Sequence, residues 1–434
     1  MDTTKGDALE NNVGFWKRIG RRITGIPLLA WILGILAAAL VEQWVGYEFA
    51  ELIGLPKIPV LFGALIVLKK KVWMQSPMMI PSTMLYVFSV YILVIGVVAR
   101  VLAAPANRAA GGLMKMPLWI SVLIHLGIFY TALHIWSDIS AYRVITLKLT
   151  LIAIMVTLSL NVINGYMGEF SCSHPGFMAL GAYAASAVTL IFFTNDRLFG
   201  AAVLPASLGP FVFPLALIIG GLVAAIGALV VAIPSFRTRG DYLAIISLAF
   251  MFIVKSVIEN LEVVGGPRGM GSQPNYADLP TVFVWTVLCI WVINNFVRSI
   301  LGKALNAVRD DEMAAEAMTV NTRKTKMVAF MFSAFWAGVA GGLFAHVIRF
   351  VNPGTFGIQK LAEVLAMVYF GGLNSVYGSI LGAVSLNLLG EMLRPLEIFK
   401  WIIIPVMLIL VMIYRPTGLI AFKDLDVKKL IRPR

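Results

Sequence analysis

The sequence has little charge. Only 13% of its 434 residues are charged, whereas 59% are hydrophobic, and the mean hydropathy is +0.88. This composition leaves too little polar surface to cover the core of a water-soluble protein. The long apolar runs have the length of about 20 residues that a helix needs to cross a hydrocarbon core about 30 Å thick. The chain is therefore predicted to lie in a membrane.

Cysteine and histidine are also scarce, with two cysteines and four histidines in the chain. Cys172 and Cys289 lie in separate apolar regions without C-x-x-C spacing, which favours packing over metal or redox chemistry. No two histidines have i, i+4 spacing. His125 and His134 are nine residues apart, on opposite sides of a helix. No metal site is predicted.

Motifs of nucleotide binding and catalysis are absent. The sequence contains no G-x-x-x-x-G-K-[ST] motif, and the glycine-rich segment 265–271 lacks the flanking strand and helix of a phosphate-binding loop. Ser171 and Ser173 flank His174, but neighbouring side chains seldom pair as nucleophile and base, and no G-x-S-x-G sequence surrounds them. We therefore predict no enzyme, no catalytic residue and no cofactor bound by this chain.

The apolar runs predict roughly ten membrane-spanning helices. The dyad alternation of a β-barrel is absent, so the predicted fold class is an all-α polytopic membrane protein with broken or re-entrant segments. The predicted spans are Leu28–Val45, Ile80–Leu102, Pro117–Trp136, Val144–Ile163, Gly176–Phe193, Val212–Pro234, Leu243–Leu261, Thr281–Val297, Met327–Val347 and Trp401–Tyr414.

Two segments do not fit single spans. The run from Leu361 to Met392 is too long for one span and contains Gly371, Gly372 and Asn374. It predicts two half-helices or a re-entrant hairpin whose broken backbone is shielded by protein. The segment 57–71 is short and charged at both ends, and its status stays open.

Basic residues set the predicted topology. The cluster 17–22 precedes the first span and indicates a retained signal anchor with a cytoplasmic N-terminus. Counting spans from a cytoplasmic 303–326 loop places 261–279 outside. The same count places the basic residues 69–71 outside, against the positive-inside rule, unless their segment is an extra span or a hairpin. The C-terminus is also predicted to be cytoplasmic. Because the charges are scattered over separate loops, no nucleic-acid partner is expected. The remaining cytoplasmic basic residues are Arg100, Arg108, Lys115, Arg237 and Arg239.

The stretch from Gly302 to Lys326 is strongly charged and lies between apolar runs. Asp310 is the predicted N-cap of a short helix from about Asp311 to Met318, whose acidic first turn would complement the helix dipole. This helix is too short and too polar to span a membrane. A plain solvated loop is the alternative interpretation.

The next helix is predicted to begin after this short one. Asn321 or Thr322 would cap it, and Arg323, Lys324 and Lys326 would hold its start at the cytoplasmic face.

Several segments resemble one transporter family. GKALNAVRDDEMAAEAMTVNTRKTKMVAF, which begins at Gly302, is similar to the cytoplasmic signature of LivM-type permeases of branched-chain amino-acid ABC importers. The segments 158–185, 238–250 with 265–270, and 414–420 match in the same order. The resemblance implies a permease domain at 142–422 that includes the 302–326 coupling loop, variable N-terminal helices at 1–141 and a basic tail at 423–434.

The resemblance implies a multi-subunit ABC importer in a bacterial inner membrane. Two related permeases would pair with two ATPase subunits, which hydrolyse the ATP, and an extracytoplasmic binding protein would deliver branched-chain amino acids. The charged loop would supply the coupling helix that docks on an ATPase subunit, and the coupling residues would be Arg309, Asp310, Asp311, Glu312 and Glu316.

Some positions depart from the family pattern. Thr319 stands where glycine is usual, and a β-branched residue disfavours the positive φ of a glycine cap. Met251 and Phe252 replace a common Gly-Glu pair, and Glu169 stands where glutamine or leucine is frequent. The cargo therefore stays open between branched-chain amino acids and urea, a short amide or another amino acid.

Charged residues within apolar runs are candidates for a solute path or gate, because an ionisable group in hydrocarbon is costly. The alternative for Asp241 is a structural pair with Arg239, and Lys255 and Glu259 could neutralise each other at i, i+4. An ion-coupled secondary permease that uses Glu169, Lys255 and Glu259 is the rival from another class. The full candidate set is Glu169, Asp241, Lys255, Glu259 and Glu363.

Two glycine pairs have G-x-x-x-G spacing, Gly338 with Gly342 and Gly378 with Gly382. This spacing favours close helix packing over solute binding.

Overall fold

The computed structural model describes residues 25–55, 58, 79–195, 199–236, 242–394, 399–423 and 425–431. Nine helices among these residues are long and apolar enough to cross a membrane, and the all-α fold class is confirmed. The chain divides into two compact units, residues 1–143 with 426–434 and residues 144–425. The segment 59–71, the basic cluster 17–22 and residues 237–241, which include Asp241, lie outside the described residues.

Each predicted span coincides with a described helix, and only Leu102, Pro117 and Leu261 lie one residue beyond a helix end. In chain order they are α1 (Leu28–Leu52), α2 (Met79–Val101), α3 (Ala103–Leu113), α4 (Leu118–Asp138), α5 (Ala141–Met167), α6 (His174–Phe193), α7 (Gly209–Ser235), α8 (Tyr242–Asn260), α9 (Leu279–Arg298), α10 (Ile300–Asp310), α11 (Glu312–Ala317), α12 (Thr322–Ile348), α13 (Ile358–Gly371), α14 (Val376–Met392), α15 (Lys400–Tyr414) and α16 (Val427–Ile431).

Prolines mark several helix starts. Pro27 and Pro117 immediately precede α1 and α4, and Pro175 and Pro280 occupy the first turns of α6 and α9. Proline has no N–H to leave unpaired in a first turn, and its fixed φ suits helix entry. These positions explain why the apolar runs begin as helices where they do.

The first unit contains a buried ion pair. A nitrogen of Arg143 lies 2.8 Å from a carboxylate oxygen of Glu42, and the two side chains are 1% and 0% exposed. Tyr91 donates its hydroxyl to the same carboxylate at 2.8 Å, and the indole N–H of Trp136 donates to Tyr91 at 3.2 Å. Glu42 and Arg143 were not among the predicted candidate charges.

Helices α6, α7 and α12 form the centre of the second unit and pack closely. A Cβ added to Gly338 would lie 2.6 Å from the Ala224 Cβ and 2.8 Å from the Gly220 carbonyl oxygen. A Cβ at Gly342 would lie 2.8 Å from Leu217. The prediction that these G-x-x-x-G glycines serve helix packing is confirmed.

The run from Leu361 to Met392 forms two shorter helices, as predicted. α13 ends at Gly371 and α14 begins at Val376, with Ser375 as the N-cap that accepts a hydrogen bond from the Gly378 N–H at 3.1 Å. Between the helices, Gly372 has φ 129° and Asn374 has φ 54°. Both values lie outside the helical region, which explains why the chain breaks here.

A short antiparallel pair of strands, β1 (Met270–Gly271) and β2 (Phe350–Val351), joins the loop after α8 to the end of α12. α12 has 27 residues, so its two ends are about 40 Å apart at 1.5 Å per residue. The strands therefore lie at the opposite end of α12 from the charged loop.

Candidate coupling site at the charged loop

The charged loop consists of two helices joined at one residue. The Asp311 side chain caps α11, because its Oδ1 accepts a hydrogen bond from the Ala314 N–H at 2.9 Å. Asp310 is the last residue of α10. The prediction of Asp310 as N-cap was therefore wrong by one residue, because Asp311 has the extended backbone that an N-cap needs, with φ −159°. The plain-loop alternative is also wrong.

The end of α11 keeps the cap geometry that usually requires glycine. Thr319 has φ 67°. The Val320 N–H donates to Ala315 O at 3.1 Å, and the Thr319 N–H donates to Glu316 O at 3.0 Å. These two bonds define a Schellman motif. Threonine therefore adopts a left-handed conformation that is strained for a β-branched residue.

α12 begins immediately after this turn. The Asn321 side chain accepts a hydrogen bond from the Lys324 N–H at 2.9 Å. The prediction that Asn321 or Thr322 caps this helix is confirmed, with Asn321 in that role.

The outer surface of α11 combines acidic and apolar side chains. Asp310, Asp311, Glu312 and Glu316 are exposed. Met313 and Met318 are 75% and 77% exposed. Ala315 is the buried residue of this short helix. Such a protruding helix offers carboxylates and flexible apolar side chains that adapt to a partner surface.

Lys326 lies at the inner side of the loop. Its Nζ is 2.7 Å from Glu169 Oε1 and 2.9 Å from Glu312 Oε2. The lysine residue is buried, with 8% of its surface exposed. Glu169, a candidate for the solute path, is therefore brought together with Glu312, a coupling candidate. The fold joins Glu169 to Glu312 and Lys326 although Glu169 precedes Lys326 by 157 residues.

Arg309 points from α10 into the unit. Its guanidinium pairs with Asp310 at 2.7 Å, donates to Gly165 O at 3.4 Å and lies 5.5 Å from the ring centroid of Phe422. Its aliphatic part covers Gly168, where an added Cβ would be 3.1 Å from the Arg309 Cβ. Gly168 has φ 76° and ends α5. Arg309 therefore connects the loop with the end of α5.

The last residues of α5 depart from α-helical geometry. Val162–Met167 form a π-helical segment, a feature that often accompanies function. Asn161, just before it, donates to Ser375 O at 3.1 Å and to Ser379 Oγ at 2.6 Å. Its Oδ1 accepts the Asn374 N–H at 3.2 Å. The amide of Asn161 also donates to the Gly372 carbonyl oxygen, at the end of α13, at 3.4 Å, so one buried side chain contacts both sides of the break between α13 and α14.

The segment after α15 also covers this break. The Leu419 and Ile420 N–H groups donate to Phe370 O and Gly371 O at 3.1 and 2.9 Å. Ser375 donates its hydroxyl to Lys423 O at 3.0 Å. The carbonyls at the end of α13 are therefore paired with protein, as the prediction of a shielded break requires.

The segment before α6 carries a buried polar cluster. Ser171 and Ser173 share a hydrogen bond of 2.9 Å, and Ser247 Oγ accepts the Cys172 N–H at 2.9 Å. His174 Nε2 bonds Ser333 at 3.1 Å. The histidine therefore pairs with a serine of α12 rather than with its neighbours in the sequence.

The remaining candidate charges form pairs within their own helices. Lys255 and Glu259 on α8 are 3.7 Å apart, and Lys360 and Glu363 on α13 are 3.0 Å apart. The structure does not bring Glu169 together with either pair. In the described part of the chain, no group of three histidine, cysteine or acidic residues could hold a metal ion.

Sequence reasoning missed Lys326 and Asn161 as site residues. Lys326 is one of three basic residues at the start of α12, and Asn161 is one polar residue in an apolar span. Their partners are separated from them by up to 218 residues. No local pattern marks such partners, although the rarity of polar residues in spans would have justified including Asn161.

Comparison with known proteins identifies the relatives of the chain. Residues 142–413 match the family described as branched-chain amino acid transport system / permease component. The permease protein LivM of the high-affinity branched-chain amino acid transport system of Escherichia coli is 32% identical over 345 residues, 71% of this chain and 76% of the relative. Its Salmonella typhimurium counterpart is 30% identical over 349 residues, with the same coverage.

A more distant relative has another cargo in its name. The ribose import permease protein RbsC of Haemophilus influenzae is 23% identical over 208 residues, 44% of this chain and 62% of the relative. No solved structure matches the chain significantly.

Proposed function

Because the chain belongs to the branched-chain amino acid transport system / permease component family, we propose that it is the permease subunit of an ABC importer for leucine, isoleucine and valine. Separate ATPase subunits bind and hydrolyse ATP, and this chain binds no cofactor. A paralogous permease completes the membrane part, and an extracytoplasmic protein delivers the solute. The names of the LivM relatives support the cargo.

The observation that carries this proposal is the exposed helix α11. It is too short to cross a membrane, and its acidic and methionine side chains face outward while Glu312 reaches back to a buried lysine. A protruding helix anchored in this way suits docking into a groove on a separate subunit. The proposed coupling residues are Arg309, Asp310, Asp311, Glu312 and Glu316. Of these, the exposed Asp310, Asp311 and Glu316 would contact the partner, whereas Arg309 and Glu312 would hold the helix to the unit.

The proposed orientation follows from the charges. The loop with Lys303, Arg309, Arg323 and Lys324 lies in the cytoplasm, as basic loops do. The paired strands at the other end of α12 then face outward. Both termini are cytoplasmic, and the exposed apolar residues of the long helices contact lipid and the second permease.

A transmission route supports alternating access. Force on α11 passes to α10, where Arg309 contacts Gly165 and Phe422. Gly165 lies in the π-helical end of α5, and Phe422 belongs to the segment that covers the α13–α14 break. ATP-driven movement of the ATPases would thus shift the broken helices, a rigid-body change between inward and outward access.

The cargo has a runner-up. A similar permease is named for ribose import, so permeases of similar sequence are named for different solutes. For this chain, urea, a short amide or another amino acid is the alternative cargo of the same importer. An ion-coupled permease is less well supported, because Glu169 pairs with Lys326, and Lys255 pairs with Glu259.

The test is a charge reversal on the outer face of α11. We propose that the groove on the ATPase subunit is basic, which would complement the carboxylates of α11. Glu316→Lys is therefore expected to abolish co-purification of the co-expressed ATPase subunit, because a basic side chain would be repelled by this groove. Uptake of radiolabelled leucine by cells should fall at least tenfold. Glu262→Lys, an exposed acid near the opposite end of the unit, is the matched control and should retain both.

Gradient-driven leucine uptake by the purified chain alone in liposomes would contradict the proposal. Uptake of urea or an amide in preference to leucine, with the ATPase bound, would instead select the alternative cargo.

A further inference from the structure

We propose that Lys326 is a positioning residue for transport. Its side chain connects the partner-facing helix α11 to the segment that leads into α6. This inference rests on the proposed function. The three residues Glu169, Glu312 and Lys326 form what we call the Lys326 triad. Its lysine belongs to α12, and its two carboxylates come from two other parts of the second unit.

The geometry of the triad differs from that of an ordinary surface ion pair. The Lys326 side chain is 10% exposed, whereas those of Glu169 and Glu312 are 26% and 47% exposed. A buried ammonium group requires close partners, because water no longer solvates its charge. Exposed ion pairs are weak and easily exchanged. The burial of Lys326 therefore makes both contacts more persistent than a surface pair.

The charge balance makes the lysine necessary for both contacts. One positive charge lies between two carboxylates that approach it at 2.7 and 2.9 Å. Without the ammonium group, the two carboxylates would repel each other at close range in a partly buried place. Loss of Lys326 should thus separate α11 from the segment of Glu169, whereas loss of one carboxylate leaves the other pair intact.

Glu169 leads directly into the centre of the unit. Two residues later, Ser171 begins the buried run that continues through Ser173 to His174, the first residue of α6. The Cys172 N–H is bonded to Ser247 of α8. α6 packs closely with α7 and α12. A displacement of Glu169 would therefore reach α6 and α8.

The triad provides a second connection besides Arg309. Arg309 contacts the end of α5 and also Phe422, in the segment after α15 that bonds the α13–α14 break. Lys326 contacts Glu169, which lies in the segment between α5 and α6. Two connections from one short loop to different helices allow the loop to rotate them together rather than to shift one alone.

The experiment uses the full importer, with this chain and its partner subunits co-expressed. Lys326→Met keeps the length and apolar body of the side chain and removes its charge. We expect the ATPase subunit to co-purify as with the wild type, because the outer face of α11 is unchanged. We expect leucine uptake in proteoliposomes to fall at least tenfold, while ATP hydrolysis falls less, so that the ratio of uptake to hydrolysis drops.

Four further variants complete the test. Lys324→Met removes an exposed charge two residues away and should leave the ratio unchanged. Glu169→Gln should lower the ratio less than Lys326→Met. The exchange Glu169→Lys with Lys326→Glu restores one ion pair between these positions, and it should recover part of the ratio relative to Lys326→Glu alone. A purely structural role for Lys326 would lower assembly and not the ratio.

The outcomes separate the two proposals. If the wild-type chain does not co-purify with the ATPase subunit, the proposed function fails. If it does, and Lys326→Met transports with a normal ratio, the triad is overturned while the proposed function stands. Loss of co-purification in Lys326→Met, with no recovery in the exchanged pair, would also overturn the triad as a transmitting contact.

Discussion

At the residue scale, Thr319 shows how strongly the surrounding turn dictates backbone conformation. Both hydrogen bonds of the Schellman motif form, and the residue between them must then have a positive φ. Threonine occupies this position at an energetic cost that glycine would avoid. The family resemblance identified the position, and the structure shows that the geometry was kept while the side chain changed.

Thr319→Gly is therefore expected to stabilise the chain. Relief of left-handed strain exceeds the greater freedom of glycine in the unfolded state, for a net gain of about 1 kcal/mol. The measurement is the melting temperature of the detergent-solubilised protein, with a rise of about 2 °C. Thr319→Ala should give a smaller rise, because alanine is still strained. A lower melting temperature for Thr319→Gly would show that the threonine side chain itself stabilises the turn.

At the element scale, the α13–α14 break shows how a membrane protein accommodates irregular backbone. Its polar groups bond to Asn161 on one side and to the segment after α15 on the other. Backbone groups left unpaired in hydrocarbon would cost several kcal/mol each. The break is therefore stable only because other parts of the unit supply its hydrogen bonds.

Asn161→Leu tests this dependence. The substitution leaves the Asn374 N–H without its partner and removes one of the hydrogen bonds to the Ser375 carbonyl, which should cost about 2 kcal/mol. Hydrogen exchange of residues 372–375 should become at least tenfold faster. Asn260→Leu, whose amide bonds Ser256 in its own helix and is exposed, is the control. Equal exchange rates in both variants would mean that Asn161 does not hold the break.

At the scale of the whole molecule, the buried Glu42–Arg143 pair joins parts of the first unit that are 101 residues apart in the chain. Both side chains are almost completely buried, and Tyr91 completes the bonding of the carboxylate. The Cζ atom of Arg143 lies 5.0 Å from the ring centroid of Trp136. The first unit thus has its own polar centre, separate in sequence from the charged loop.

Removing one charge of this pair should be worse than removing both. Glu42→Leu or Arg143→Met alone leaves an unpaired buried charge, at a cost of about 3–5 kcal/mol, whereas the double variant should lose clearly less. Melting temperatures of the three variants measure the difference. A double variant whose loss equals the sum of the single losses would show that the two charges do not stabilise each other.

Much of the fold could be predicted, because membrane helices are encoded locally. The predicted spans match helices since every apolar run must satisfy its backbone hydrogen bonds internally. The α13–α14 break was predictable from Gly371, Gly372 and Asn374. The position of α11 was predicted to within one residue at each end, because its caps are local.

The contacts of the site could be predicted far less. Glu169 was selected as a charge for the solute path, yet it bonds the same lysine as Glu312. Glu42 lies within the first predicted span and was not selected as a candidate. Its partner, Arg143, lies 101 residues later in the sequence. Ionic pairing between distant segments depends on how the helices pack, and the apolar periodicity of the sequence does not indicate which helices are neighbours.

The sequence by itself determined the membrane setting, the helical class, the break after Gly371 and the charged helix at 312–317, since each follows from local composition and capping. The tertiary structure decided which side chains of that helix face outward and which reach inward. It placed Lys326 between two carboxylates and Asn161 across the break. The physical reason is that a charge or amide buried among apolar helices must find its partner in space, wherever that partner lies in the chain.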